Sequence, residues 1–335
     1  MPIEGGEVVK NWRCRLRCGR KIVILSRYNK KQIFERKKML NYITWTADPE
    51  MFGIGSISVR WYGLMFAIGF LVGYEMVCRI FKREGYPESW VGSLLIYTIV
   101  ATVVGARLGH VFFYDWAYYK DHLGEILKVW HGGLASHGGT IGIIIAVYFY
   151  SRRVTHKPML WTFDRLVVPV GLVAAMIRFG NLMNSEIFGG PTSLPWGMKF
   201  VRSMEWWTLY CPDRIVEHGA ACHPTQLYEA FCYLLLFGVC LWLYWRRNEG
   251  EREGMIFGVF LSGIFVPRFV IEFVKNVQEP WELALRESCG MDMGQLLSIP
   301  FIVAGAWLVV RALRRERVPV PYPNRFADEP KQSHR

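Results

Sequence analysis

The run Arg178-Phe179-Gly180-Asn181-Leu182-Met183-Asn184-Ser185-Glu186-Ile187-Phe188-Gly189-Gly190 holds one guanidinium, two amides, one carboxylate and three glycines. It ends an apolar stretch, Leu166 to Ile177, long enough to be part of a membrane span. An Arg at such a place costs roughly 2.5–3.5 kcal/mol on insertion scales, so it faces a polar cavity or a partner. Donors and acceptors gathered on flexible backbone at that depth fit an anion, or a lipid headgroup, at a membrane surface.

Other polar residues interrupt apolar surroundings in the same way: Tyr62, Arg107, His110, His137, Gln226, Tyr228, Glu229, Arg268 and Glu272. Each has a plain structural reading. Arg268 and Glu272 are four apart and can pair on one helical face. Arg107 can snorkel to an interface. Tyr62 can be a belt aromatic. His137 lies in Gly132-Gly133-Leu134-Ala135-Ser136-His137-Gly138-Gly139, where glycines serve close helix packing more often than ligand contact. Small neighbours also leave room beside its ring.

What places these residues is a membrane bundle. The chain has 335 residues, 52% hydrophobic and 15% aromatic, which excludes an ordinary soluble domain. Seven windows approach the roughly 20 apolar residues that cross a bilayer: 61–81, 91–114, 133–150, 161–180, 225–245, 255–274 and 295–312. The expectation is an all-α, polytopic integral membrane bundle of about seven transmembrane helices. With the N-terminus out and the C-terminus in, the inner segments carry 16 Lys or Arg in 56 residues against 7 in 82 outside. Under this topology every polar residue named above falls in the outer half of the membrane. Convergence on one depth argues for one cavity open to the outer leaflet.

Residues 1–38 break the pattern, with twelve Lys or Arg against three acidic residues. They have no apolar core of signal-peptide length. The expectation is that the working protein begins near Met39, with 1–38 a basic extension, disordered or absent. Residues 39–315 then form the bundle, with one long outer loop at about 181–224. That loop is aromatic (Trp196, Trp206, Trp207, Tyr210) and is expected to be ordered on the membrane interface. Residues 316–335 form a cytoplasmic tail. For Cys211 and Cys222 both a disulfide and free thiols stay open, as for Cys289. Cys14 and Cys18 lack the second pair that a metal site needs.

A channel or transporter would also place Arg, Glu and His inside spans. Against it, these charges gather near one face, and no inverted repeat or pair of broken helices is visible. A purely structural protein would not need His137 and two Arg at one depth.

Five blocks in order carry a resemblance. They are Arg60-Trp-Tyr-Gly-Leu-Met65, Ser136-His-Gly-Gly-Thr-Ile-Gly142, Arg178 to Gly189, His223-Pro-Thr-Gln-Leu-Tyr-Glu229 and Gly294-Gln-Leu-Leu-Ser-Ile-Pro300. Over Met39 to Arg315 the chain resembles the bacterial prolipoprotein diacylglyceryl transferases. The resemblance implies an inner (cytoplasmic) membrane enzyme with its site toward the outer leaflet. It implies transfer of the diacylglyceryl group of phosphatidylglycerol to the lipobox Cys thiol of a preprolipoprotein. A thioether forms and glycerol 1-phosphate leaves, as the first step of lipoprotein maturation. The partners implied are phosphatidylglycerol, the preprolipoprotein signal peptide and membrane lipid, with no nucleic acid. No metal or organic cofactor is implied. His137, Arg178 and Arg268 are the expected catalytic residues. Arg178, Tyr62, Asn181, Glu186 and Gly189 are expected at the phosphatidylglycerol, with Glu272, Asn184 and Arg107 supporting. One departure stands out. The family usually carries a Tyr four residues before the sixth-span Arg, and this chain has Ile264 there, with Pro267 beside Arg268. Either that Tyr is replaceable, or His137 carries more of the proton transfer.

Overall fold

The computed structural model describes residues 42–54, 57–129, 133, 135–276 and 288–319. The expected extension 1–38, with Cys14 and Cys18, lies outside the described residues, as does the tail beyond 319. Seven helices build the bundle: α1 (Trp61–Arg83), α2 (Glu88–Phe113), α3 (Ser136–Tyr150), α4 (Met159–Met183), α5 (Thr225–Trp245), α6 (Met255–Glu272) and α7 (Met293–Leu313). Six of them are long and apolar enough to cross a membrane. The exception is α3, which has fifteen helical residues and runs on into a π-helical turn, Ser151–Thr155. The chain is thus a multi-pass membrane protein.

Partners in the bundle run antiparallel. Along α1 and α4, Tyr62 meets Gly180, Gly69 meets Val173 and Gly73 meets Pro169. Along α5 and α6, Leu236 packs on Gly263 and Glu229 meets Lys275, just beyond the helix. Along α6 and α7, Gly258 meets Gly305, and Glu272 meets Gly294. The α2–α3 seam is the tightest. A Cβ on Gly138 would lie 2.2 Å from the Gly105 carbonyl oxygen, and one on Gly142 would lie 2.2 Å from that of Ala101. Gly105/Gly109 and Gly138/Gly142 are each four apart, the small-residue spacing that brings membrane helices into backbone contact. The glycines after His137 therefore serve packing first. Pro267 sits within α6 without ending it.

The all-α expectation needs correction outside the bundle. Ile43–Trp45 pairs in parallel with Met198–Phe200, and Glu50–Ile54 forms a hairpin with Ile57–Arg60. Backbone beyond the span ends can be paired in strands; within hydrocarbon, only helices or closed barrels satisfy it. The long loop is ordered, but around its own core of Phe188, Met198, Phe200, Trp206, Cys211 and Cys222. Trp206 is wholly buried, and its indole N–H donates to the Ala220 carbonyl (2.9 Å), so it is not a belt residue. Cys211 and Cys222 are free thiols, and Cys211 Sγ donates to the Ile215 carbonyl. Cys289 Sγ donates to the Met291 carbonyl (3.4 Å). The tail begins docked: Arg317 donates to Glu249 (3.0 Å), and the Val318 N–H donates to the Glu251 carbonyl (2.9 Å).

Candidate active site

Because neighbouring helices alternate in direction, one end of the bundle collects the start of α1, the ends of α4 and α6, and the starts of α5 and α7. Tyr62, Arg178, Glu229, Glu272 and Gly294 therefore meet there. Arg178, in the last two turns of α4, is the centre. Its Nη1 donates to Asn181 Oδ1 (3.2 Å), one turn on. Its Nε faces Glu229 Oε2 at 2.5 Å, as an ion pair without hydrogen-bond alignment. The Arg178 side chain is 17% exposed and that of Glu229 1%. Tyr233, buried one turn along α5, has Arg178 and Arg268 as charged neighbours.

The segment after α4 is held as a template. Asn181 Nδ2 donates to Glu186 Oε1 (2.7 Å), and Asn184 Nδ2 donates to the same oxygen (3.2 Å). Ser185 and Ile187 adopt left-handed backbone, φ 55° and 59°. For β-branched Ile187 this is a strained conformation that the surroundings must impose. They do so from the start of α5: Gln226 Nε2 donates to the Glu186 carbonyl (2.6 Å), and Thr225 Oγ1 donates to that of Ile187 (2.8 Å). Gly189 then passes between two backbones. Its N–H donates to the His223 carbonyl (2.8 Å), and the Gly190 N–H donates to that of Val274 (2.9 Å). A Cβ on Gly189 would lie 2.3 Å from the Val274 oxygen. Gly180 is likewise required where the chain passes the Tyr62 ring.

Beyond α6, Lys275 is 7% exposed and donates to Glu229 Oε1 (3.4 Å), with Glu272 Oε2 at 3.8 Å. Burial pushes the Lys275 ammonium below its ordinary range, and Glu229 and then Glu272 hold it back up. The expected Arg268–Glu272 pair does not form: among the described residues the ion partner of Glu272 is Lys275. Arg268 makes no hydrogen bond or ion pair among the described residues, leaving its donors for a ligand. The Glu272 carboxyl packs on Gly294, where a Cβ would lie 2.6 Å from it. Buried oxygens on Ser185, Gln226 and Glu272 have no hydrogen-bond partner among the described residues. Native interiors leave few such atoms without a ligand or water to meet them.

No hydrogen bond or ion pair among the described residues joins two of the expected residues to this cluster. His137 is exposed in the first turn of α3 and makes no hydrogen bond among the described residues. Arg107 does not snorkel. It is 3% exposed, donating to the carbonyls of Glu125 (2.6 Å), Ile126 (2.9 Å) and Gly133 (3.2 Å), with the Tyr119 ring 5.0 Å away. Its work is to fasten the loop between α2 and α3. Ile264, at the position of the missing Tyr, packs on the apolar core. Lys275 and Tyr233 were not picked out from the sequence. A Lys seven residues after Arg268, on the same helical stripe, was the available signal.

A family profile described as prolipoprotein diacylglyceryl transferase matches residues 49–311. A Porphyromonas gingivalis protein named phosphatidylglycerol–prolipoprotein diacylglyceryl transferase is 55% identical over 275 residues, 82% of this chain and 95% of that protein. Proteins of the same name from Chloroherpeton thalassium and Bacteroides fragilis are 41% and 37% identical, covering 83% and 81% of this chain and 97% and 95% of theirs.

Proposed function

This chain belongs to the prolipoprotein diacylglyceryl transferase family, and we propose that the Arg178 cluster is where its lipid substrate is held. The enzyme moves the diacylglyceryl group of phosphatidylglycerol to prolipoprotein. The acceptor is the lipobox cysteine thiol after the signal peptide. The thiolate sulfur attacks the glyceryl carbon, the C–O bond to phosphate breaks, and glycerol 1-phosphate leaves with the bonding pair.

Negative charge grows on the departing phosphate. Guanidinium groups in a water-poor site stabilise it. Arg178 and Arg268 take that role. Asn181, Asn184 and Glu186 orient Arg178 and the turn after it. Tyr62 borders the lipid, and Gly189 sets the close backbone passage beside it. His137 takes the thiol proton, because an exposed imidazole without a partner is open to an incoming thiol. The observation that carries this reading is the pairing of Arg178 with the buried Glu229 carboxylate, beside an Arg268 that has no ion pair among the described residues, at one end of the bundle.

The Lys/Arg asymmetry of the loops supports seven spans in the inner membrane, with this end of the bundle toward the outer leaflet. Impermeant thiol labelling of Ser193→Cys in intact cells tests that orientation; labelling only after lysis would reverse it. For the reaction, purified protein is given phosphatidylglycerol and a lipobox peptide. Mass spectrometry should find the diacylglyceryl adduct on the peptide Cys with the native chain and none with Arg178→Ala. No adduct from folded native protein would refute the assignment.

A further inference from the structure

Arg178 is not idle in the structure: Glu229 already holds it. A lipid phosphate reaching Arg178 competes with a carboxylate that is 1% exposed. Drawing the guanidinium away would leave Glu229 buried without a cation, which membrane and protein interiors both oppose strongly. A second cation is in place. Lys275 Nζ lies 3.4 Å from the other Glu229 oxygen and is itself buried. The Arg178–Glu229 contact is close but not aligned as a hydrogen bond, whereas the Lys275 contact is aligned. Lys275 is also tied to the signature turn through its backbone. Gly189 and Lys275 form an antiparallel bridge, and the Gly190 N–H donates to the Val274 carbonyl.

We propose that Lys275 is a positioning residue that takes over Glu229 when Arg178 turns to the lipid phosphate. The exchange keeps every buried charge compensated before and after binding: Glu229 passes from two cations to one, and Arg178 passes from a carboxylate to a phosphate. Lys suits the post, since its ammonium is a compact charge on a flexible stem with three rotatable donors. The proposal rests on the reading of Arg178 as the phosphate-binding residue.

The test is steady-state transfer by the full chain in mixed micelles, varying phosphatidylglycerol at saturating lipobox peptide. Without Lys275, Glu229 has only Arg178 and holds it harder. Lys275→Met should raise KM for phosphatidylglycerol about fivefold or more, leaving KM for the peptide unchanged. Lys275→Arg should stay within about twofold of the native value. Removing the carboxylate removes the need for its counter-ion, so Glu229→Gln and Lys275→Met/Glu229→Gln should agree within about twofold. That last comparison stands even if Lys275→Met alone fails to fold, because the double variant removes the nearer and more buried of the two carboxylates that Lys275 meets, leaving only Glu272 at 3.8 Å. An unchanged lipid KM in Lys275→Met, or effects of the two substitutions that simply add, would overturn the exchange while the transferase reading survives. Native protein without activity, or Arg178→Ala with normal activity, would instead remove the reading beneath it and the proposal with it.

Discussion

Each end of the bundle sets an Arg of α4 against a buried Glu, Glu84 just beyond α1 at one end and Glu229 of α5 at the other, and the pairs are finished differently. At the end away from the site, Arg165 of α4 donates through Nε to Glu84 Oε2 (2.9 Å), through Nη1 to the Trp161 carbonyl (2.9 Å) and through Nη2 to the Gly250 carbonyl (3.3 Å). The Tyr244 hydroxyl donates to the other Glu84 oxygen (2.6 Å), and the guanidinium lies 4.2 Å from the Trp161 ring centroid. Both charged side chains are 0% exposed. At the site end, Arg178 has one amide acceptor, one unaligned carboxylate and partial exposure. A closed network specifies a packed core; one with donors to spare is built to receive something. Burial of charge alone does not mark a site. Unfinished hydrogen bonding does.

Substitution at the two arginines should separate these roles, with the largest effect at the closed end. Arg165→Ala leaves Glu84 buried with a hydroxyl but no cation, and should cost about 3–5 kcal/mol of stability. It is read as loss of folded yield and a much lower melting temperature in detergent. Arg178→Ala should do the reverse. Glu229 keeps Lys275, so melting changes little, while turnover falls by about 10²–10³, as when one preorganised charge donor is lost. Equal melting losses at both positions would erase the distinction.

Next in size is Gly189→Ala. The added methyl meets the Val274 carbonyl, Thr225 and His223, so the turn after α4 must move. An overpacking cost of about 1–3 kcal/mol is expected, confined to the site end. Its signature is lost transfer together with altered tryptophan emission from the outer loop. Normal transfer by this variant would mean that the three-way backbone crossing is not needed for the site.

The helices themselves were legible, because crossing a bilayer needs a long apolar run whatever the partners. The window 225–245 coincides with α5, and 161–180 falls inside Met159–Met183. The first half of the site was legible too, since Arg178, Asn181, Asn184 and Glu186 sit on one continuous segment. What was hidden is pairing across the chain. Whether Glu272 would take Arg268 or Lys275 depends on how the end of α6 meets Gly189 and α5, which helical spacing cannot encode. Arg107 misled for a related reason: its partners are backbone carbonyls, and a sequence does not display those. Glu84, Asp164 and Arg165 were not picked out from the sequence, although Arg165 stands two turns inside α4.

Asp164 extends the comparison to a helix end. Its carboxylate accepts the N–H groups of Gly254 (2.6 Å) and Phe257 (2.8 Å), which open α6, from a residue 90 positions earlier. Helix starts leave such donors unpaired unless a side chain meets them. Asp164→Ala should cost about 1–2 kcal/mol, in line with loss of a cap. Transfer per folded molecule should be unchanged. A drop in transfer at constant folded fraction would show that the closed end communicates with the site.

The smallest expected effect is the sharpest check on what closes that end. Tyr244→Phe removes only the hydroxyl that donates to Glu84 Oε1, leaving the ring beside Arg83 and Trp245. A hydrogen bond to a buried charged group is worth about 1.5–3 kcal/mol by mutation. Here Glu84 retains Arg165, so the lower end of that range, about 1.5 kcal/mol, is expected as a modest fall in melting temperature. Combined with Arg165→Ala the losses should not add, because both substitutions act on one carboxylate. Strict additivity would mean that Glu84 meets its two partners independently. The closed end would then be two separate contacts, and its contrast with the shared Glu229 of the site would fail.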